Sequence, residues 1–229
     1  MKRHRNIGRA AAVVLALLAA AMPAPAADIE ERLWYADNGQ QHAWVAGGRL
    51  EFERPLATNR LGFAGLDLEY GRYDNNGDTE THGRYAAALG AELAHGWRAG
   101  AGFEYRDIRT RLKEGWIWDT DHPEERERNA DIYGPMLYAA WEGFVRNPNA
   151  GWKLEFSWMF YDMGELTDIG YDGANVRMAA SAFYRFRQLV LRTGYRLEEF
   201  RDMPDRVSND ERSSRDTIQG PFFSLGVSF

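Results

Sequence analysis

Apolar and polar residues alternate in short segments along this chain. The segment after Gly151 shows the pattern most clearly: every second residue from Trp152 to Phe160 is apolar, and Lys153 and Glu155 lie between them. Because successive side chains of a β-strand point to opposite faces, this segment predicts a strand with one apolar and one largely polar face. The same alternation predicts strands at residues 44–53, 61–72, 84–93, 97–106, 133–143, 176–187, 189–198 and 221–229.

The connections between these nine segments alternate in length. Short turns are predicted near residues 55–59, 95–96, 147–151 and 187–188, and long polar loops near 73–82, 107–130, 162–174 and 199–217. Outer-membrane β-barrels have this arrangement, with short periplasmic turns and longer external loops.

An antiparallel single-chain barrel of this kind needs an even number of strands to close without an edge. Leu33 and Tyr35, followed by the hairpin signal Asn38-Gly39, supply a tenth strand. We therefore predict an all-β fold, a transmembrane antiparallel up-and-down β-barrel of ten strands. Eight strands preceded by an N-terminal arm are the alternative.

The first residues predict export. Lys2, Arg3, Arg5 and Arg9 precede an apolar stretch from Ala10 to Met22, and small residues follow it. This is the pattern of a cleaved signal peptide, and the apolar stretch is too short to span a bilayer as a helix. We predict a signal peptide at residues 1–27 and the barrel at residues 28–229.

The remaining chain is acidic and has no cysteine. Residues 1–27 hold four of the 28 basic residues and none of the 34 acidic ones, which leaves a net charge of −10. This composition argues against a nucleic-acid partner, which requires a dense basic face. The absence of cysteine excludes disulfides and thiolate metal sites.

The alternative to a membrane barrel is an exported soluble β-sandwich or lipocalin-like barrel whose apolar face points inward. The apolar face is bulky for that arrangement, since it carries tryptophans at five positions: Trp44, Trp97, Trp141, Trp152 and Trp158. A barrel of eight to ten strands has little internal volume, whereas lipid accommodates such side chains on the outside. The membrane barrel is therefore favoured.

The C-terminal segment resembles the last strand of bacterial outer-membrane proteins. Its apolar residues alternate from Pro221 through Phe223, Leu225 and Val227 to a final Phe229. The resemblance implies that the barrel-assembly machinery reads these residues and that the protein lies in the bacterial outer membrane, with membrane lipid and lipopolysaccharide as its other partners. The size is similar to that of OmpA-like, OmpX-like and OmpW-like barrels and of ten-stranded omptins.

Charged residues dominate the predicted inward face. In a narrow barrel, opposite charges are expected to pair across the interior rather than to line a wide channel. The predicted network consists of Arg49, Glu51, Asp67, Glu69, Arg84, Glu92, Glu104, Arg106, Lys153, Glu155, Arg177, Arg185, Arg192 and Arg196.

One polar loop is a candidate for a cation site. Asp74, Asn76, Asp78 and Glu80 place oxygen ligands at alternate positions, as hard cations such as Ca²⁺ require. Its glycine departs from the EF-hand position, so a plain polar turn is the competing interpretation. We predict no cofactor.

Enzyme signatures are weak. An Asp–His pair lies in the loop 111–129 beside Trp116 and Trp118, and His82-Gly83 stands at a predicted strand end, but neither matches the spacing of a known outer-membrane hydrolase. The leading hypothesis is therefore a small structural or interaction barrel with a salt-bridged interior and acidic external loops. A narrow channel for small solutes or ions is the first alternative, and an enzyme that modifies lipid A or peptides is the second.

Overall fold

The chain forms ten β-strands in the computed structural model, which describes residues 26–37, 41–57, 60–75, 78–111, 127–160, 175–204 and 213–229. No helix in these ranges is long and apolar enough to cross a bilayer. The strands are β1 (Ala26–Asp37), β2 (Gln41–Ala57), β3 (Arg60–Asn75), β4 (Asp78–Ala94), β5 (Trp97–Arg111), β6 (Glu127–Phe144), β7 (Ala150–Met159), β8 (Asn175–Phe186), β9 (Leu189–Pro204) and β10 (Ser213–Ser228).

The sheet closes between its first and last strands. Each strand pairs with its neighbour in sequence, and β1 pairs antiparallel with β10 from Asp28–Ser228 to Trp34–Phe222. The prediction of a ten-stranded antiparallel up-and-down barrel is confirmed. The eight-stranded alternative is wrong, because the N-terminal segment lies in the wall between β10 and β2.

The strands extend further toward the long loops than the alternation predicted. Residues 73–75 and 78–82 belong to β3 and β4, so the predicted loop 73–82 is wrong for all but residues 76–77, which lie outside the described residues. Residues 199–204 and 213–217 likewise extend β9 and β10. The ladder continues there although the outward side chains become polar, and the apolar signal for a strand therefore disappears.

The short turns near residues 95–96, 147–151 and 187–188 lie where the sequence predicted them. The turn predicted near 55–59 is wrong for residues 55–57, which belong to β2, and residues 58–59 lie outside the described residues. The turn between β4 and β5 has positive φ at both His95 (52°) and Gly96 (79°), as a type I′ hairpin requires. A side chain at Gly96 would approach the Glu142 carbonyl oxygen to 2.1 Å, so only glycine fits. Both ends of the described chain lie at this end of the barrel, which we call the short-turn end; the opposite end is the loop end.

The apolar face of the wall lies outside. Trp97 and Trp152 are about half exposed near the short turns, and Trp44, Tyr70 and Tyr85 are exposed toward the loop end. Between these aromatic rows, the outward residues are mainly aliphatic and also exposed. The described wall therefore does not have the inward apolar face that the soluble alternative required.

Glu31 is an exception on this outward face. It is exposed between the exposed Ile29 and Leu33 of β1, and its partners in the register are Gly48 of β2 and Leu225 of β10. This carboxylate lies among apolar side chains, about midway between the two aromatic rows.

Most of the predicted signal peptide, residues 1–25, lies outside the described residues. The wall begins at Ala26, and Ala26 and Ala27 pair with Glu53 and Phe52 of β2. The signal peptide stays a prediction.

Candidate functional site: the barrel interior

The fourteen charged residues of the predicted network all lie on the inward face, because each is in phase with the buried positions of its strand. Ten of them are buried, and Asp67, Glu92, Glu155 and Arg185 are half-buried. The ten buried members are Arg49, Glu51, Glu69, Arg84, Glu104, Arg106, Lys153, Arg177, Arg192 and Arg196.

Toward the loop end, six side chains of alternating charge form a ring, which we call the ionic ring. Arg84 donates to Glu104 (2.9 Å), and so does Arg106 (2.6 Å). Arg196 donates to Glu69 (2.8 Å), and a contact of 3.7 Å between Glu69 and Arg84 closes the ring. The members in order are Arg84, Glu104, Arg106, Glu198, Arg196 and Glu69.

Glu198 is the most deeply buried carboxylate of the ionic ring. It has no exposed surface and accepts hydrogen bonds from Arg106 and from Arg196 (2.7 Å). Two arginines on one carboxylate neutralise a charge that would be costly to bury alone. The sequence alternation placed Glu198 inside but could not pair it with Arg106 of β5, 92 residues away.

Trp34 packs beneath the ionic ring and was missed as a site residue. The Arg196 guanidinium lies 4.2 Å from the centre of its ring, within cation–π range. Its indole Nε1 donates to the Gly220 carbonyl oxygen (3.1 Å), and only 1% of the residue is exposed. The signal was the inward phase of β1, in which Glu30, Arg32 and Trp34 follow one another.

An apolar layer packs across the interior near the loop end. Its members flank the long connections, as Ile108 and Ile132 do on either side of residues 112–126. The layer comprises Trp34, Ala36, Ala43, Val45, Tyr73, Ile108, Ile132, Met159, Ile218 and Phe222. Together with the ionic ring, it fills this part of the interior.

A second ionic group lies nearer the short-turn end. Arg49 donates to Glu155 (2.5 Å), and the Tyr138 hydroxyl joins them by accepting from Arg49 (2.8 Å) and donating to Glu155 (3.2 Å). Arg192 donates to Glu30 (2.6 Å). A small cavity of about 50 Å³ lies between this group and the ionic ring, with Arg49 and Tyr138 in its wall. Arg32 and Asp67 connect the two groups beside the cavity, because Arg32 contacts Glu155 (3.9 Å) and Asp67 (3.5 Å), and Asp67 contacts Arg84 (3.4 Å).

The interior widens at the short-turn end. A cavity of about 370 Å³ lies there, with Glu92 and Ser224 in its wall. Arg98 donates to Glu51 and Glu53, and Arg185 donates to Glu142 (2.5 Å). The side chains in this region are more exposed than the ionic ring: 39% for Arg185 against 2% for Arg106.

The described inward arginines of strands β8 and β9 all have carboxylate partners. Arg177 donates to Glu69 (2.5 Å), while Arg185, Arg192 and Arg196 reach Glu142, Glu30 and the ionic ring, as described above. A channel that selects anions would leave some of these cations facing solvent. In the described interior they are neutralised instead.

The predicted cation loop lies only partly within the described residues. Asp74 Oδ1 accepts hydrogen bonds from Arg72 Nη2 (3.2 Å) and Thr79 Oγ1 (3.0 Å). Asn76 and the side chains of Asp78 and Glu80 lie outside the described residues. No group of three or more metal-binding side chains occurs in the described part of the chain, and the site stays a prediction.

His82, the histidine considered as an enzyme residue, lies on the inward face of β4. His82 is 4% exposed, and its ring stacks against Tyr73 with centroids 4.1 Å apart. Residues 112–126, which hold Trp116, Trp118 and the Asp–His pair, lie outside the described residues.

The predicted assembly residues lie on the outward face of β10, the strand that closes the barrel. Phe223 (52%), Leu225 (43%) and Phe229 (65%) are exposed, and Val227 is half-buried. Leu225 and Val227 pair with β1.

The chain matches no protein-family model and no curated protein. Among solved structures it is similar to the translocator domain of the autotransporter NalP from Neisseria meningitidis, at 10% identity and a TM-score of 0.45, covering 97% of this chain and 94% of that one. It is also similar to the β domain of the Bordetella autotransporter BrkA, at 12% identity and a TM-score of 0.45, covering 90% and 98%. A third similar structure is the NanC porin, at 10% identity and a TM-score of 0.33, covering 88% and 98%. Likenesses this distant carry no conclusion about function.

Proposed function

We propose that this chain is a bacterial outer-membrane barrel with a closed interior, serving a structural or interaction role. Its apolar outer band faces lipid, its long loops face outward, and its short turns face the periplasm. Lipid and lipopolysaccharide surround it. The barrel-assembly machinery recognises it through Phe223, Leu225, Val227 and Phe229 of β10.

The ionic ring is the observation that supports the proposal of a closed interior. Its three arginines and three glutamates neutralise one another, and the apolar layer packs next to them. An ion entering from the loop end would have to displace buried pairs that hold one another in place. Breaking a buried pair costs about 3–5 kcal/mol, far more than thermal energy.

The outer surface supports insertion in a bilayer. Trp97 and Trp152 lie near the short turns and Trp44 and Tyr70 toward the loop end, where the two aromatic girdles of a membrane barrel belong. An exposed apolar band of this extent in water would lead to aggregation.

A narrow channel is the second candidate. The cavities of about 50 Å³ and 370 Å³ follow each other along the interior and share Arg49 in their walls. They provide a partial path from the short-turn end, which stops at the ionic ring.

Planar-bilayer recording tests the choice between these two functions. The protein without its signal peptide is refolded in detergent, and a band that shifts on boiling shows that the barrel has closed. We expect no current steps from the wild type. Stable steps from heat-modifiable protein would overturn the closed interior and support the channel, whereas protein that shows no shift and remains soluble without detergent would overturn the membrane assignment.

A further inference from the structure

Two arginines stand on the outward face of the wall at the loop end of the apolar band. Arg72 of β3 and Arg109 of β5 have 62% and 58% of their side chains exposed. Each lies beyond an outward aromatic residue of its own strand, which is the exposed Tyr70 in β3 and the half-buried Tyr105 in β5. In the proposed orientation, this is the level of the lipid headgroups of the outer leaflet.

The register aligns these arginines across three adjacent strands. Arg72 pairs with Thr81 of β4, and Thr81 pairs with Arg109. Residues paired across neighbouring strands share a face, so the three side chains form one row on the outside of the barrel. The two arginine backbones are two strand spacings apart, about 10 Å.

Neighbouring carboxylates orient both guanidinium groups. Arg72 Nε and Nη2 each lie 3.2 Å from Asp74 Oδ1. Arg109 Nη2 donates to Asp107 Oδ2 (2.9 Å), and its Nε donates to Asp107 Oδ1 (3.4 Å). Each carboxylate contacts the Nε and Nη2 side of its guanidinium group, so the Nη1 side is directed away from it.

A tyrosine lies directly below the row. Tyr85 is 47% exposed, and a side chain built at Gly83 would lie 3.4 Å from its ring and 3.6 Å from its hydroxyl. The Tyr85 ring therefore leans over Gly83 toward the row and brings its hydroxyl to the edge of the aromatic band. Thr81 and Tyr85 add two hydroxyl groups to the two guanidinium groups.

We propose that this row binds a phosphate group of an anionic lipid headgroup in the outer leaflet. Arginine binds phosphate through paired N–H donors, and threonine and tyrosine hydroxyls can supply further hydrogen bonds. The position favours a lipid over a soluble phosphate, because the aromatic band below the row faces the acyl chains. This proposal rests on the proposed function and assigns a site to the lipid contact.

Native mass spectrometry of the refolded full barrel tests the site. The probes are lipid A and fully dephosphorylated lipid A, added to the same micelles. We expect the wild type to retain lipid A in preference to the dephosphorylated lipid, and R72Q/R109Q to retain lipid A about 10- to 30-fold less well. Equal retention of the two lipids by the wild type, or wild-type retention by R72Q/R109Q, would overturn the site.

Matched variants separate charge from position. R54Q/R187Q removes two exposed arginines at the short-turn end and is expected to leave retention unchanged. An equal loss in R54Q/R187Q would show attraction to net charge alone and would also overturn the site. R72K/R109K keeps the charge but loses the paired donors, so we expect intermediate retention.

The proposed function is checked separately in the same samples. Heat-modifiable mobility and flotation with vesicles report closure and membrane insertion, and neither depends on the arginine row. A protein that floats with vesicles but shows no preference for lipid A refutes the site alone. A protein that fails to float refutes the proposed function.

Discussion

The two faces of the barrel wall give the same residue types opposite roles. Glu30 points inward and bonds Arg32 and Arg192, whereas Glu31, the next residue, is exposed among apolar side chains. Trp34 is buried against a guanidinium, whereas Trp158 is 38% exposed on the outside. The face that a side chain occupies, more than its chemical type, therefore determines whether it stabilises this fold.

Replacing Glu198 tests the inward face at its most buried point. Glu198→Ala leaves Arg106 and Arg196 without a shared carboxylate, and we expect the free energy of unfolding to fall by about 3–5 kcal/mol. Urea unfolding in lipid vesicles measures the change. The control is Glu199→Ala on the outward face, expected to cost less than about 1 kcal/mol; equal losses would contradict the comparison.

Replacing each of two adjacent glutamates of β1 by leucine tests both faces with the same type of substitution. Glu30→Leu removes the carboxylate to which Arg192 donates, and it is expected to lower the free energy of unfolding by about 2–3 kcal/mol. Glu31→Leu removes a charge from the lipid-facing band and is expected to add about 1 kcal/mol. The same unfolding experiment reads both, and a loss of stability in Glu31→Leu would show that this carboxylate has a partner in the membrane.

Replacing tryptophan on each face gives a smaller contrast. Trp34→Phe removes the donor to the Gly220 carbonyl and weakens the contact with Arg196, so we expect a loss of about 1–2 kcal/mol. Trp158→Phe keeps an aromatic ring against lipid and is expected to change the unfolding free energy by less than about 0.5 kcal/mol. Similar values for the two variants would mean that the buried indole hydrogen bond contributes little.

Salt gives the smallest expected effect. Raising ionic strength from about 0.1 M to 1 M shortens the Debye length from roughly 10 Å to 3 Å, but buried pairs are screened far less than exposed ones. We therefore expect the unfolding free energy to change by less than about 0.5 kcal/mol. A large decrease would show that water and ions enter the ionic ring.

Strict alternation made the wall predictable from the sequence. It placed nine strands and both faces correctly, and the need for an even strand number led to β1. It failed beyond the apolar band, where Asp74, Thr79 and Thr81 face outward and no apolar face remains to detect. How far a strand extends beyond the apolar band depends on its backbone hydrogen bonds to its neighbours, which side-chain polarity does not report.

The partners of the interior charges were not predictable in the same way. Alternation shows that Arg106 and Glu198 point inward, but their contact depends on the tilt and stagger of five successive strands. Trp34 was missed for a related reason. Its outward neighbours Leu33 and Tyr35 predicted the strand. The contact between the inward Trp34 and Arg196 depends on the curvature of the wall, which the sequence pattern does not give.

The long reach of the interior ion pairs has a consequence for how the barrel forms. Arg49 meets Glu155 across 106 residues of chain, and Arg177 meets Glu69 across 108. These partners meet only when the sheet has curled, so a flat or half-curled sheet entering the bilayer would expose unpaired charges to hydrocarbon. Closure and insertion are therefore expected to be coupled in one slow, cooperative step, because these cross-barrel pairs are non-local.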